Sequence, residues 1–132
     1  MQVVVVGAGP AGTRCAVRLA QRGAAVTLCS AELALPYDRV ALSRLLAGDA
    51  EVADLITHPL AELAAMGVAF RAGTAIAGID RAARCVTTAK GERLGYDRLV
   101  LATGSAAVRL PLPGPNCPAW WPIATWPMCA PC

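Results

Sequence analysis

The chain has 132 residues, 56 % of them hydrophobic, and twelve basic against nine acidic side chains leave a net charge of only +3. That length suits one domain with a modest core, and the arginines are scattered rather than gathered into a stripe with interleaved aromatics, which argues against nucleic-acid binding. No apolar run approaches the roughly 18 residues of a membrane span, and Met1-Gln2-Val3 lacks the basic start of a signal peptide, so a cytoplasmic chain with no membrane partner is expected.

Gln2 to Val6 is a nearly continuous apolar run ending at glycine, the pattern of a parallel strand covered on both faces. From Pro10 to Arg22 the apolar residues Ala16, Leu19 and Ala20 recur at helical spacing, and Gly23 is placed to end the helix. Ala25 to Cys29 reads as a second strand, which completes a βαβ unit with a right-handed crossover. After a loop through Pro36, helices are predicted over Ala41 to Ala47 and Leu60 to Met66, and a third parallel strand over Val68 to Arg71. Thr74 to Ile79, Cys85 to Thr88 and Arg93 to Tyr96, separated by Asp80-Arg81 and Lys90-Gly91 turn signals, predict an antiparallel meander. Arg98 to Ala102 then returns as a buried strand ending in Thr103-Gly104.

Gly7-Ala8-Gly9-Pro10-Ala11-Gly12 fits the GxGxxG pattern at the point where a strand turns into a helix. A dinucleotide pyrophosphate needs this spacing. Gly7 permits the tight turn, Gly9 lets backbone approach the phosphates, and Gly12 lets the helix pack closely on the strand. Pro10 and Ala11 open this helix, whose first backbone N–H groups face the anion. Glu32 lies twenty residues beyond Gly12, where a carboxylate can accept hydrogen bonds from both adenosine ribose hydroxyls and would repel a 2′-phosphate. The alternative is a solvated loop glutamate.

Three segments in order, GAGPAG, then Pro36-Tyr37-Asp38-Arg39-Val40-Ala41-Leu42-Ser43-Arg44, then Leu101-Ala102-Thr103-Gly104-Ser105, resemble the FAD half of pyridine-nucleotide-disulfide oxidoreductase-type flavoproteins. The middle segment, followed by Leu46-Ala47-Gly48-Asp49, most resembles the NAD(P)H-nitrite reductase large subunit and the electron-transfer subunit of assimilatory nitrate reductase, with rubredoxin and ferredoxin reductases as cousins. The resemblance implies FAD as cofactor, with Arg39 near its pyrophosphate, Ser43 and Arg44 near the flavin, and the Ile76 backbone at the adenine. Arg44 departs from the lysine common at that position, and guanidinium does not readily give up a proton. Ala102, Thr103 and Gly104 would place small residues at the carboxyl end of a parallel strand, where open α/β sheets bind ligands.

Leu33 to Arg44 contains no cysteine pair, so electron relay through flavin is expected rather than disulfide chemistry. Cys15, Cys29 and Cys85 read as reduced packing residues, and His58, before Pro59, as a loop residue with no identifiable catalytic partner. No metal cluster can be assembled; the single CxxC, Cys129-Ala130-Pro131-Cys132, lacks a second ligand pair.

The expected fold is α/β, a Rossmann-like FAD/NAD(P)-binding fold whose parallel sheet carries helices and a three-stranded antiparallel meander. Residues 1–114 form the expected FAD-binding domain, incomplete beside the resembled proteins, which continue with an NAD(P)H domain. Residues 115–132 form a Pro/Trp/Cys-rich tail without strand or helix pattern. Read from the third base of the Gly114 codon, the overlapping frame permits AELPGVVAYRDLADVRAL, similar to the segment that follows LPxPG in the family, so a frameshift near Gly114 is expected. The expected function is the FAD-binding portion of an NAD(P)H-dependent oxidoreductase feeding an acceptor protein or domain, inactive on its own. The alternatives are an NAD-binding dehydrogenase domain and a non-catalytic fragment with residual dinucleotide binding.

Overall fold

The computed structural model describes residues 1–105. Four strands, β1 (Gln2–Val6), β2 (Ala25–Cys29), β3 (Val68–Arg71) and β7 (Arg98–Leu101), form one sheet in the order β3-β2-β1-β7. Every pairing in it is parallel, with Val5 opposite Leu28 on one side and Val100 on the other. The meander β4 (Ile76–Asp80), β5 (Cys85–Thr88) and β6 (Arg93–Gly95) is a separate antiparallel sheet.

Alternation along β1 explains why its valines run without interruption. Successive side chains of a strand point to opposite faces, and both faces are covered here. Val3 and Val5 join Ala16 and Val17 of helix α1 (Pro10–Ala20), Leu63 of helix α4 (Leu60–Ala65), Val26, Leu28 and Val68 in one core cluster. Val4 and Val6 pack with Cys29 and with Val86 of the meander in a second. The domain is therefore three layers: helices, parallel sheet, meander. Leu28, Leu63, Val5 and Val86 are fully buried, and burying each such side chain is worth about 1.5–3 kcal/mol.

Helix α1 starts with Pro10, whose fixed φ suits the first turn. It stops at Ala20, two residues before the expected Arg22, because the chain turns left-handed at Gly23 (φ +82°). The Gly23 N–H donates to the Ala20 carbonyl and the Ala24 N–H to that of Leu19, which satisfies the terminal carbonyls.

The segment between β2 and β3 has a small core of its own. Tyr37, Leu42 and Leu55 are buried together, on helices α2 (Leu42–Ala47) and α3 (Val52–Leu55) and the loop before them. Helix α3, a single turn, was not predicted; its start is a capping box in which the Glu51 N–H donates to Asp54 Oδ2 at 2.9 Å. An isolated antiparallel bridge joins Tyr37 to Ile56, and the Asp38 N–H donates to the Leu55 carbonyl. These ties hold the Pro36 loop against the end of α3.

Strand β7 departs from expectation. It was predicted to be buried, yet Leu99 and Val100 are half-buried and Leu101 is 60 % exposed. Among the described residues its only strand neighbour is β1, so one edge has no partner. Expected and observed bounds otherwise differ by at most two residues; β4 begins at Ile76 rather than Thr74, and β6 ends at Gly95. The expected tail at 115–132 lies outside the described residues.

Candidate functional site

The glycine turn is built by exclusion. Gly7 has φ +103°, and a Cβ there would overlap the Ala102 carbonyl oxygen, so only glycine lets β1 end against β7. A Cβ on Gly12 would overlap the Gly7 carbonyl oxygen and press on the Ala102 methyl at 3.2 Å. Gly9 differs: its φ is ordinary and a Cβ would meet only Arg39 Nε, at 3.8 Å. Its freedom from a side chain serves the space in front of it and not the fold behind it. Thr13, buried on α1, donates its hydroxyl to the Ala8 carbonyl at 3.1 Å and fixes the loop from beneath.

Gly9 is the N-cap of α1, with no side-chain cap and no acidic residue in the first turn. The first N–H groups of a helix have no intrahelical partner, and the helix dipole adds roughly half a positive charge there. An anion placed at this end meets both.

One cleft of about 630 Å³ opens at this helix start, within the size range of small-ligand sites. Gly7, Gly9, Pro10 and Ala11 form one wall, Glu32 and Arg39 another, Ile76 a third, and Ala102, Thr103 and Gly104 the rim by β7. Of the residues predicted for the site, three stand elsewhere. Gly12 is buried behind the turn, and Ser43 and Arg44 are exposed on α2, outside the cleft. His58 also lies outside it, in the loop before α4.

Glu32 is held from several directions. Tyr37 donates its hydroxyl to Oε2 at 2.7 Å, and Arg39 Nη2 donates to Oε1 at 2.6 Å in an ion pair. The Glu32 N–H donates to Ser30 Oγ, and the Gly73 N–H donates to the Glu32 carbonyl. The Arg39 guanidinium also lies over the Tyr37 ring, 5.3 Å from its centroid. A carboxylate has about four lone-pair sites, so each Glu32 oxygen can accept one more donor. Tyr37 was quoted in the sequence motif without a role; its role needed the fold, because the residues from 32 to 39 follow no period that brings them together.

Cys29, 1 % exposed, lies under the cleft floor. Burial pushes its thiol above the ordinary value of 9.0, against a smaller downward pull from Arg71. Cys15, Cys29 and Cys85 are all free thiols. Among the described residues no group of three or more His, Cys, Asp or Glu side chains could hold a metal ion, and no helix is long and apolar enough to cross a membrane.

The chain is 42 % identical over 106 residues to the ferredoxin–NAD(+) reductase component of the anthranilate 1,2-dioxygenase system of Burkholderia cepacia, covering 77 % of this chain and 26 % of that protein. It is 30 % identical over 116 residues to the assimilatory nitrate reductase electron transfer subunit of Bacillus subtilis, covering 86 % and 15 %. The fold superposes on a NAD-dependent persulfide reductase from A. fulgidus with a TM-score of 0.86 and 26 % identity, over 98 % of this chain and 26 % of that one. The chain thus spans about a quarter or less of the length of these relatives. The model of the family described as pyridine nucleotide-disulphide oxidoreductase matches residues 1–122, so the chain belongs to that family.

Proposed function

We propose that the cleft binds the ADP half of FAD and that this chain is the FAD-binding part of an NAD(P)H-dependent flavoprotein oxidoreductase, working in the cytoplasm. One observation carries the reading: an uncapped helix start, open in front of Gly9, shares a cleft with the Glu32 carboxylate. The two features match the pyrophosphate and ribose of an adenine dinucleotide at the separation a βαβ unit provides.

The residues present fit that group. The N–H groups at the start of α1 would hold the pyrophosphate, with the Arg39 guanidinium as a second positive group beside Gly9. Glu32, oriented by Tyr37 and Arg39, would accept the ribose hydroxyls. The backbone at Ile76 would border the adenine, and Ala102, Thr103 and Gly104 leave room for the chain leading to the flavin. In this reading Ser43 and Arg44 lie toward the flavin end, beyond the described cleft. FAD, when bound, supplies the electron chemistry that these side chains lack. The chain's own contribution is to bind and orient it.

In the whole protein, electrons pass from NAD(P)H to an acceptor protein. Greater identity to the ferredoxin reductase component than to the nitrate reductase subunit, 42 % against 30 %, favours a small redox protein as acceptor over a nitrite- or nitrate-reducing partner. Residues 1–114 constitute the FAD-binding part in this proposal, with the family match running on to residue 122.

Incubation of the purified chain with FAD or NAD+, followed by gel filtration, tests the binding reading. Flavin absorbance that co-elutes with protein is expected. Retention of NAD+ without FAD would point to a dehydrogenase domain, and retention of neither to a fragment without a cofactor.

A further inference from the structure

Tyr37 belongs to the cleft at one end and to the small core behind it at the other. Its ring is buried with Leu42 and Leu55, whereas the Arg39 and Glu32 side chains keep 38 % and 20 % of their surface exposed. Main chain fixes the ring from both sides. The Thr57 N–H and hydroxyl both donate to the Pro36 carbonyl, at 2.9 and 3.0 Å, and the Asp38 N–H donates to the Leu55 carbonyl at 2.8 Å. The stretch between Tyr37 and Ile56, joined across their isolated bridge, thus closes around a side chain whose hydroxyl reaches Glu32 Oε2 at 2.7 Å. Arg39 holds Oε1 and lies over the same ring. With a donor on each oxygen, turning the carboxylate would break a charge-assisted hydrogen bond.

We propose that Tyr37 is a positioning residue that makes the cleft selective for an intact ribose diol, by fixing the plane of the Glu32 carboxylate so that its two oxygens meet two neighbouring hydroxyls together. The inference rests on Glu32 being the ribose acceptor and adds which residue sets the selectivity. A carboxylate fixed in this way penalises a sugar without hydroxyls, because its remaining lone pairs are covered by the ligand and left unpaired. One that can turn toward solvent escapes that penalty. A phenol that served the fold alone would alter stability and leave the selectivity where it was.

The full chain is titrated calorimetrically with ADP and with 2′,3′-dideoxy-ADP, which differs only in lacking the two hydroxyls, and the ratio of the two dissociation constants is taken. A change in the folded fraction cancels in this ratio. The parent chain should favour ADP by about thirtyfold. Tyr37→Phe keeps the ring in its core and should lower the ratio to about fivefold, through weaker ADP binding, with the dideoxy ligand unchanged within about twofold. Glu32→Ala should bring the ratio to roughly one, and adding Tyr37→Phe to it should change nothing further. If the parent chain showed no preference, or Glu32→Ala kept it, the ribose reading and the proposal would fall together. If Glu32→Ala abolished the preference but Tyr37→Phe retained it in full, or if the Tyr37→Phe loss persisted in the Glu32→Ala background, Tyr37 would be a structural residue or a direct contact, and the proposal alone would be overturned.

Discussion

At the scale of single residues, three glycines that look equivalent in the sequence do different work, and substitution separates them. Gly7→Ala combines a left-handed φ with overlap on the Ala102 carbonyl oxygen, so it should cost more than about 2 kcal/mol of folding stability in a denaturant titration. Gly9→Ala meets nothing closer than Arg39 Nε and should cost under about 1 kcal/mol, mostly through the weaker N-cap. Its methyl group stands in the cleft, so FAD affinity should nevertheless fall by about tenfold, roughly 1.4 kcal/mol. A Gly9→Ala chain that binds FAD as well as the parent would refute the phosphate assignment. Glu32→Ala removes the acceptor proposed for the ribose and should weaken FAD binding by about 2 kcal/mol, near thirtyfold, in a flavin-fluorescence titration. Cys29 offers a test of another kind. A thiol whose folded-state value lies above 9.0 contributes stability that is complete below that pH and is lost as pH rises through the raised value. Stability above pH 9 should therefore fall more steeply in the parent chain than in Cys29→Ala, and iodoacetamide at neutral pH should label half-buried Cys15 before Cys29, as peptide mass spectrometry would show.

At the scale of elements, the sequence was legible where burial imposes a period. Four successive valines in β1 signalled a strand covered on both faces, and the two core clusters show each pair of alternate valines buried against a different layer. The meander was legible from its turn residues. Helix α3 was not, because one turn gives periodicity nothing to act on; the Glu51 and Asp54 capping box was its one available signal. The burial expected of β7 failed for a related reason: an apolar run reports what a strand can bury, not what lies beside it, and among the described residues Leu101 has no strand neighbour beyond β1's side. The site followed the same division. The glycine turn and Glu32 could be located by spacing, whereas the Tyr37 and Arg39 contacts that orient Glu32 arise from an irregular loop folded on its own small core. The tie between β3 and the meander illustrates how element contacts should be weighed. Arg71 donates to both oxygens of Glu92 at 2.8 and 2.7 Å, but both side chains are more than a third exposed, and solvent screens the pair. Glu92→Gln should cost under about 1 kcal/mol, while Leu63→Ala, in the core between α4 and the sheet, should cost about 2–5 kcal/mol.

At the scale of the whole molecule, binding a flavin and reducing it are separate tasks. Hydride transfer needs the nicotinamide held within contact of the flavin ring in a fixed orientation, and such positioning is worth about 7–11 kcal/mol of a bimolecular barrier. Among the described residues the cleft proposed for the dinucleotide has groups suited to one pyrophosphate and one ribose. The relatives are about four or more times longer than the matched stretch, which leaves room in them for a second nucleotide site. This 132-residue chain, loaded with FAD, should therefore bleach its flavin absorbance under anaerobic NADH no faster than free FAD does at the same concentration. Dithionite should bleach both at once, which shows that the bound flavin is redox-competent and that the missing element is nicotinamide positioning. If NADH reduced the bound flavin about a hundredfold faster than free FAD, the positioning would have to reside within this chain, and the division of labour proposed for it would be wrong.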